Sequence, residues 1–110
     1  MTKNIQGVNA VIAGTFKDNG DLDLESMGNL IDHLIKIGCD GITMFGIATE
    51  FHKLSDEERD SYARLLAAKT KGTNTYCVMS VTDHSKEVAV KRAKFYESLG
   101  ADSLMILPPF

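Results

Sequence analysis

The residues best suited to bind a small ligand follow the second apolar run of the chain, residues 41–45. The run is followed by Gly46, Ile47, Ala48 and Thr49, and then by Glu50. These residues offer backbone N–H groups, one hydroxyl and one carboxylate, among which a small anionic substrate could lie. A glycine after a strand is commonly only a turn, so the motif is weak by itself. Glu50 is open to two interpretations: a general base tuned by burial, or a carboxylate that accepts hydrogen bonds from loop amides, which we expect.

The histidines and cysteines indicate no metal or redox chemistry. His33, His52 and His84 do not form a cluster with Asp or Glu at metal-ligand spacing, so we predict no metal and no other cofactor. His33 falls on a predicted helix and is expected at the surface or in a satisfied core position, whereas His52 and His84 follow strands, where a functional role is more open. Cys39 and Cys77 have no metal-binding spacing, and we predict buried, reduced thiols.

The lysines matter for covalent chemistry, because an amine that forms a Schiff base needs an apolar setting that lowers its pKa. Lys17 and Lys53 fall in predicted loops and Lys3 near the terminus. The remaining lysines lie on or beside predicted helices. No lysine falls inside a predicted strand, and we therefore predict no catalytic residue in this chain.

The elements that position these residues alternate along the chain. Apolar runs predict strands at residues 8–13, 41–45, 75–81 and 103–107. A first helix is expected from Leu24, with Gly38 suited to a left-handed cap. Ser55 opens a capping box whose helix should end near Thr70, and Ser85 caps a third helix that ends at Gly100. The residues expected to face the core are Tyr62, Ala63, Leu65, Leu66 and Ala67 in the second helix, and Val88, Ala89, Phe95, Tyr96 and Leu99 in the third.

An internal repeat indicates how these elements are arranged. Residues 37–42 and 99–104 share one pattern (apolar, Gly, small, Asp, small, apolar), with an offset of 62 residues from Gly38 to Gly100. Two units of about 31 residues match the βα period of a barrel of about 250 residues. Apolar strands separated by helices predict a parallel sheet covered by helices. An open doubly wound sheet is the alternative, but the first βα turn lacks a glycine-rich phosphate loop. We predict an α/β fold: a parallel half-barrel of about the first four strands and three helices of a (β/α)₈ barrel, forming a single, incomplete domain at residues 1–110.

Composition narrows the class of partner. The chain has 110 residues, 44% of them hydrophobic and 25% charged, and a net charge of −3, which argues against nucleic acid or an anionic membrane surface. No apolar run approaches about 18 residues, so no transmembrane span is expected. The N-terminus lacks the features of a signal peptide, which predicts a cytoplasmic protein.

Several motifs, in order along the chain, resemble the dihydrodipicolinate synthase and N-acetylneuraminate lyase family. That family typically has Thr-Pro-Phe and then Asp-Gly-x-Ile/Val-Asp, where this chain has residues 14–16 and 19–23. Residues 46–50 resemble the family's Gly-Ser/Thr-Thr-Gly-Glu loop, and residues 54–59 its Leu-Ser/Thr-x-acid-Glu-base series. Residues 100–102 and 107–110 resemble its Gly-Ala-Asp and Pro-Pro-Tyr-Tyr segments. The order and spacing of these motifs are more specific than any one of them.

The resemblance implies a (β/α)₈ barrel in which a lysine on the sixth strand forms an imine with pyruvate or a related 2-oxo acid. The enamine then adds to an aldehyde, or the reverse cleavage occurs, without metal or organic cofactor. It also implies a homo-oligomer, commonly a tetramer. The substrate-binding loop corresponds to Gly46, Ile47, Ala48 and Thr49. Ile47 and Ala48 replace two hydroxyl residues of the family, which argues against dihydrodipicolinate synthesis itself.

The family's imine-forming lysine is not in this chain, so we expect the 110-residue chain alone to be inactive, as the N-terminal portion of a 2-oxo acid aldolase or lyase. Two alternatives remain open. One is a natural, non-catalytic half-barrel that closes as a dimer, and the other is an α/β domain that binds a phosphorylated ligand.

Overall fold

The structure, a computed structural model that describes residues 3–107, contains one parallel sheet with strand order β1-β2-β3-β4. The strands are β1 (Asn9–Val11), β2 (Gly41–Met44), β3 (Tyr76–Val81) and β4 (Ser103–Ile106), and the helices are α1 (Leu24–Lys36), α2 (Asp56–Thr70) and α3 (Lys86–Leu99). Each pair of neighbouring strands is parallel and connected through one helix, so the predicted half-barrel of four strands and three helices is confirmed. Within the described residues, no helix is long and apolar enough to span a membrane.

The helix ends are determined by local sequence. The Ser55 hydroxyl accepts a hydrogen bond from the Glu58 N–H, and the Glu58 carboxylate accepts one from the Ser55 N–H, which completes the predicted capping box of α2. Ser85 caps α3 in the predicted way. Gly38 and Gly100 follow α1 and α3 with φ of +86° and +102°, a backbone conformation that side chains other than glycine rarely adopt.

The internal repeat corresponds to a contact between neighbouring strands. In each copy the Asp carboxylate, just before a strand, accepts a hydrogen bond from a backbone N–H at the start of the preceding strand. Asp40 accepts from Val8 at 2.7 Å, and Asp102 accepts from Cys77 at 2.8 Å. Asp102 also accepts from the backbone N–H of Lys3 at 2.9 Å. The repeated Gly-x-Asp therefore ends a helix and then aligns two parallel strands.

The two faces of the sheet differ in what covers them. Cys77, Met79 and Val81 of β3 pack with the helices in the main apolar core, as do Ile42 and Met44 of β2. Because side chains alternate along a strand, the intervening residues face the opposite, concave side, which corresponds to the interior of a barrel. The concave side is therefore where strand-borne side chains could meet a ligand.

Some boundaries and burial predictions need correction. β1 is Asn9–Val11 rather than residues 8–13, although the Ile12 N–H still donates to the Thr43 carbonyl at 3.0 Å. β2 ends at Met44 because Phe45 has a positive φ of 68°, which turns the chain out of the sheet. Leu65 is only half-buried, and Val88 is 39% exposed because it lies over the open groove between α2 and α3. The predicted end of the fourth strand, Leu107, lies outside β4, which ends at Ile106.

Candidate functional site

The candidate site lies at the carboxyl edge of the sheet, where parallel strands all end. The loops after β1 and β2 lie there, at residues 14–16 and 46–51, together with the end of β3 and the residues after it, at residues 80–84. Residues 108–110, which follow the fourth predicted strand in the sequence, lie outside the described residues. The site is therefore described from three strand ends.

The loop after β2 is a tight, strained turn. Ile47–Thr49 form a single 3₁₀ turn, and it is flanked by two non-glycine residues with positive φ, Phe45 (68°) and Glu50 (57°). Positive φ costs free energy in residues other than glycine, so the surrounding packing must hold this shape. Phe45 is 2% exposed, and its ring stacks on Tyr96 of α3 with ring centroids 5.5 Å apart. The packing of Phe45 supplies that support.

The four predicted substrate-binding residues occupy two different environments. Ile47 is 70% exposed and Ala48 is also exposed, so both line the open surface of the turn. Gly46 is buried, and a Cβ built on it would lie 3.1 Å from a methyl of Val11. Thr49 is completely buried. The loop therefore presents backbone groups and apolar side chains to its surroundings.

Thr49 joins the ends of β1 and β2. Its hydroxyl donates to the Ile12 carbonyl and accepts from the Phe45 N–H at 3.2 Å. Gly14, beyond β1, passes so close that a Cβ there would lie 2.8 Å from the Thr49 carbonyl oxygen. Both contacts hold the loop after β2 against the loop after β1.

A buried tyrosine fixes the loop after β1. The Tyr62 hydroxyl donates to the Thr15 carbonyl at 2.6 Å and accepts from the Thr15 N–H at 3.1 Å. The sequence predicted Tyr62 as a core residue, but its polar contact with a loop 47 positions away was not predicted. A tyrosine on an apolar helix face is the sequence signal, because its hydroxyl needs a partner when it is buried.

Glu50 is placed differently from our expectation. Its carboxylate accepts a hydrogen bond from Lys53 Nζ at 2.9 Å, and its side chain is 43% exposed. We expected loop amides as its partners. The left-handed backbone at Glu50 starts a second 3₁₀ turn, Phe51–Lys53, so the side chain lies beside the residue three positions later.

The loop histidines are exposed. His52 packs edge-on against the Phe51 ring, and His84 follows β3 without burial. His33 lies at the surface of α1, one of the two placements that the sequence predicted. In residues 3–107 there is no group of three or more His, Cys, Asp or Glu side chains that could hold a metal ion. The geometry does not unite these histidines into one centre.

At the end of β3, within residues 80–84 of the carboxyl edge, lie two buried hydroxyls that were not singled out among the four predicted substrate-binding residues. Ser80 is 3% exposed, and its Oγ has no hydrogen-bond partner among the described residues. The Oγ1 of Thr82 is likewise buried and without a described partner. The available signal was a serine inside an otherwise apolar strand.

The described amine and thiol nucleophiles are lysines and two cysteines. The lysines between residues 3 and 107 lie outside the strands, in loops, in helices or beside them. Burial raises the pKa of the Cys77 thiol to about 12, so the thiol is protonated at neutral pH. Cys77 is buried and Cys39 half-buried, both as free thiols. Among the described residues, the lysines therefore lie outside the strands, and the buried Cys77 thiol is held in its neutral form.

Comparison with known proteins identifies relatives of this architecture. The Dihydrodipicolinate synthetase family matches residues 4–110. L-2-keto-3-deoxyarabonate dehydratase of Azospirillum brasilense is 29% identical over 109 residues, which cover 99% of this chain and 35% of that protein.

Solved structures agree with that match. Dihydrodipicolinate synthase from Rhodopseudomonas palustris superposes with a TM-score of 0.91 at 27% identity, covering 99% of this chain and 36% of that chain. YagE of Escherichia coli K12, a prophage protein of the dihydrodipicolinic acid synthase family solved in complex with pyruvate, superposes with a TM-score of 0.86 at 26% identity, covering 94% and 35%. The chain thus spans about a third of the length of these relatives.

Proposed function

Because the chain belongs to the Dihydrodipicolinate synthetase family over residues 4–110, we propose that it forms the N-terminal part of a Schiff-base aldolase or lyase that acts on a 2-oxo acid. The observation that supports this best is the family match over almost the whole chain, with the loop after β2 at the carboxyl edge of a parallel half-barrel. Ligands of barrel enzymes bind at that edge. We further propose that residues 1–110 belong to one barrel domain that assembles as a homo-oligomer.

The proposed role of this chain is to border the substrate. Gly46, Ile47, Ala48 and Thr49 form the rim of the substrate site: Ile47 and Ala48 are exposed, Gly46 is buried, and the buried hydroxyl of Thr49 fixes the turn. The reacting amine is a lysine from outside this chain. It attacks the ketone carbon of the 2-oxo acid, and the carbonyl oxygen leaves as water when the C=N bond forms.

The substrate class follows from the relatives and from the loop. The name of the Azospirillum brasilense relative specifies L-2-keto-3-deoxyarabonate, and YagE was solved in complex with pyruvate; both compounds are 2-oxo acids. Ile47 and Ala48 have no polar side-chain atom, so the loop itself offers the substrate only main-chain hydrogen bonds. We therefore favour a 2-oxo acid whose further oxygens are bound by other parts of the site, rather than dihydrodipicolinate synthesis.

Borohydride trapping tests this proposal. The full-length protein of which residues 1–110 form the proposed N-terminal part, called the whole protein below, is incubated with pyruvate or L-2-keto-3-deoxyarabonate. It is then reduced with borohydride, and its mass is measured by mass spectrometry. A mass increase equal to the reduced substrate imine is expected. Residues 1–110 expressed alone, treated in the same way, should keep their mass. Absence of an adduct on the folded whole protein with both acids would contradict the proposal.

A further inference from the structure

The side chains at positions 47–49, in the loop after β2, have no free hydrogen-bond donor for a 2-oxo acid. Ile47 and Ala48 are apolar, and the Thr49 hydroxyl already donates its one hydrogen to the Ile12 carbonyl while it accepts from the Phe45 N–H. Carboxylate and hydroxyl oxygens lose strong hydrogen bonds to water when they are buried. A polar ligand at this edge therefore needs donors from another element.

Ser80 faces the concave side of the sheet, by two independent arguments. Its neighbours Met79 and Val81 pack with the helices, so alternation directs Ser80 to the other face. Its register partner is Met105 of β4, and residues in register share a face. A Cβ built on Gly46 would lie 3.1 Å from Val11 of β1 and 3.8 Å from the Met105 terminal methyl, so β1 and β4 side chains meet at Gly46 across the concave side.

The Ser80 hydroxyl therefore lies on the concave side of the sheet, next to the loop of residues 46–49. β3 lies between β2, which leads into Gly46, and β4, which includes Met105. Met44 is in register with Met79, so Ser80 is level with the residue just before Gly46. Thr82 follows Ser80 by two residues, the spacing that returns a side chain to the same face of an extended chain.

Both hydroxyls are buried without a partner. Ser80 is 3% exposed, and neither its Oγ nor the Thr82 Oγ1 has a hydrogen-bond partner in residues 3–107. Buried polar groups are nearly always hydrogen-bonded in proteins, because an unsatisfied group destabilises the fold. Two such hydroxyls lie on one short segment, at the edge of the sheet where ligands bind. They are therefore candidates to donate hydrogen bonds to a bound ligand.

We propose that the Ser80 and Thr82 hydroxyls form a polar floor beneath the loop of residues 46–49 and donate hydrogen bonds to oxygen atoms of the 2-oxo acid. The inference rests on the proposed function and adds two specificity-determining residues to it. It also explains how a substrate site can tolerate apolar residues at positions 47 and 48.

The test uses Ser80→Ala and Thr82→Val in the whole protein, with pyruvate and L-2-keto-3-deoxyarabonate as probes. The half-saturating concentration of each acid is measured from the yield of borohydride-trapped adduct, and the thermal midpoint without ligand from circular dichroism. Ser80→Ala should raise the half-saturating concentration of at least one acid about tenfold or more. It should leave the ligand-free midpoint unchanged or higher, because an unsatisfied buried hydroxyl is removed.

The control removes a buried hydroxyl that has a partner. Thr70 of α2 is 2% exposed, and its hydroxyl donates to the Leu66 carbonyl at 2.9 Å on the helix side of the sheet. Thr70→Val should lower the thermal midpoint and leave half-saturation unchanged, the opposite of Ser80→Ala. Thr82→Ser keeps its hydroxyl and should retain wild-type half-saturation, unlike Thr82→Val.

Three results would overturn the inference. Wild-type half-saturation in both Ser80→Ala and Thr82→Val means that the hydroxyls do not bind the acid. A lower ligand-free midpoint for Ser80→Ala, with unchanged half-saturation, means that the Ser80 hydroxyl is bonded within the protein. If the wild-type protein forms no adduct with either acid, the proposed function itself is contradicted. In the first two results the wild-type protein does form the adduct, so the two kinds of failure are distinguishable.

Discussion

Thr49 illustrates how one side chain holds the candidate site at the residue scale. The hydroxyl joins the residues that immediately follow β1 and β2, Ile12 and Phe45, through two buried hydrogen bonds. The sequence identified Thr49 as the only hydroxyl of the loop, but its partners are Ile12, which is 37 positions away, and Phe45. Partners so distant in sequence are set by strand pairing, which a single-sequence pattern does not contain.

Thr49→Val should destabilise the protein, because it leaves the Phe45 N–H and the Ile12 carbonyl without this partner in a buried setting. The expected loss in the free energy of unfolding is about 1–3 kcal/mol, measured by urea denaturation. Thr49→Ser retains the hydroxyl and is the matched control, with a smaller expected loss. A loss in Thr49→Ser as large as that in Thr49→Val would mean that the methyl contributes as much as the hydroxyl, and would contradict the special role of the hydroxyl.

Cys77 predicts a pH dependence of stability. Burial raises the pKa of its thiol from an ordinary value of 9.0 to about 12, so the fold favours the neutral thiol. This contribution is fully present below pH 9 and is lost as the pH rises from 9 towards 12. The free energy of unfolding should therefore fall between about pH 9 and about pH 12, and fall less steeply in Cys77→Ala. Identical slopes for the two proteins would contradict this assignment.

At the element scale, the Gly-x-Asp repeat links the ends of α1 and α3 to the alignment of the strands that follow them. Gly38 and Gly100 end α1 and α3, and the aspartates two positions later bind backbone N–H groups of the preceding strand. From this repeat the sequence predicted where α1 and α3 end and the length of one strand-and-helix unit. It did not predict the role of the aspartates, because their partners come from a neighbouring strand.

Asp102→Ala should weaken the junction of β3 and β4, since the Cys77 and Lys3 backbone N–H groups would each lose an acceptor. We expect a loss of about 1–3 kcal/mol in the free energy of unfolding, measured by chemical denaturation. Asp18→Ala, in the exposed turn after β1, is the control and should change stability by no more than about 0.5 kcal/mol. Similar losses for both variants would mean that the Asp102 contacts add little.

At the scale of the whole molecule, the described sheet has two unpaired edges, at β1 and β4. Unpaired edges are templates for association with another chain, and a closed barrel removes them. The relatives are about three times as long as this chain. The sheet geometry therefore fits closure by further strands, supplied either by the rest of a barrel or by a second copy.

Residues 1–110 expressed alone should associate through these edges into large, heterogeneous species. Size-exclusion chromatography with light scattering measures this directly, and the whole protein is the control, with a discrete oligomer expected. A single, stable dimer of residues 1–110 would instead favour the self-closing half-barrel that the sequence left open.

The sequence by itself determined the elements, their order and the family. Helical periodicity, capping residues and repeated glycines act within a few residues, so they are readable locally, and they predicted α1, α2, α3 and the parallel half-barrel correctly. Strand ends were less exact, because the positive φ of Phe45 depends on its packing against Tyr96.

Only the tertiary structure decided the function of individual polar groups. It paired Thr49 with β1, Tyr62 with the loop after β1 and Glu50 with Lys53, and it left Ser80 and Thr82 buried without described partners. A hydroxyl's role depends on which acceptors and donors surround it in three dimensions. Those neighbours are fixed by strand register and loop packing, so residue type and spacing could identify the polar groups but not their partners.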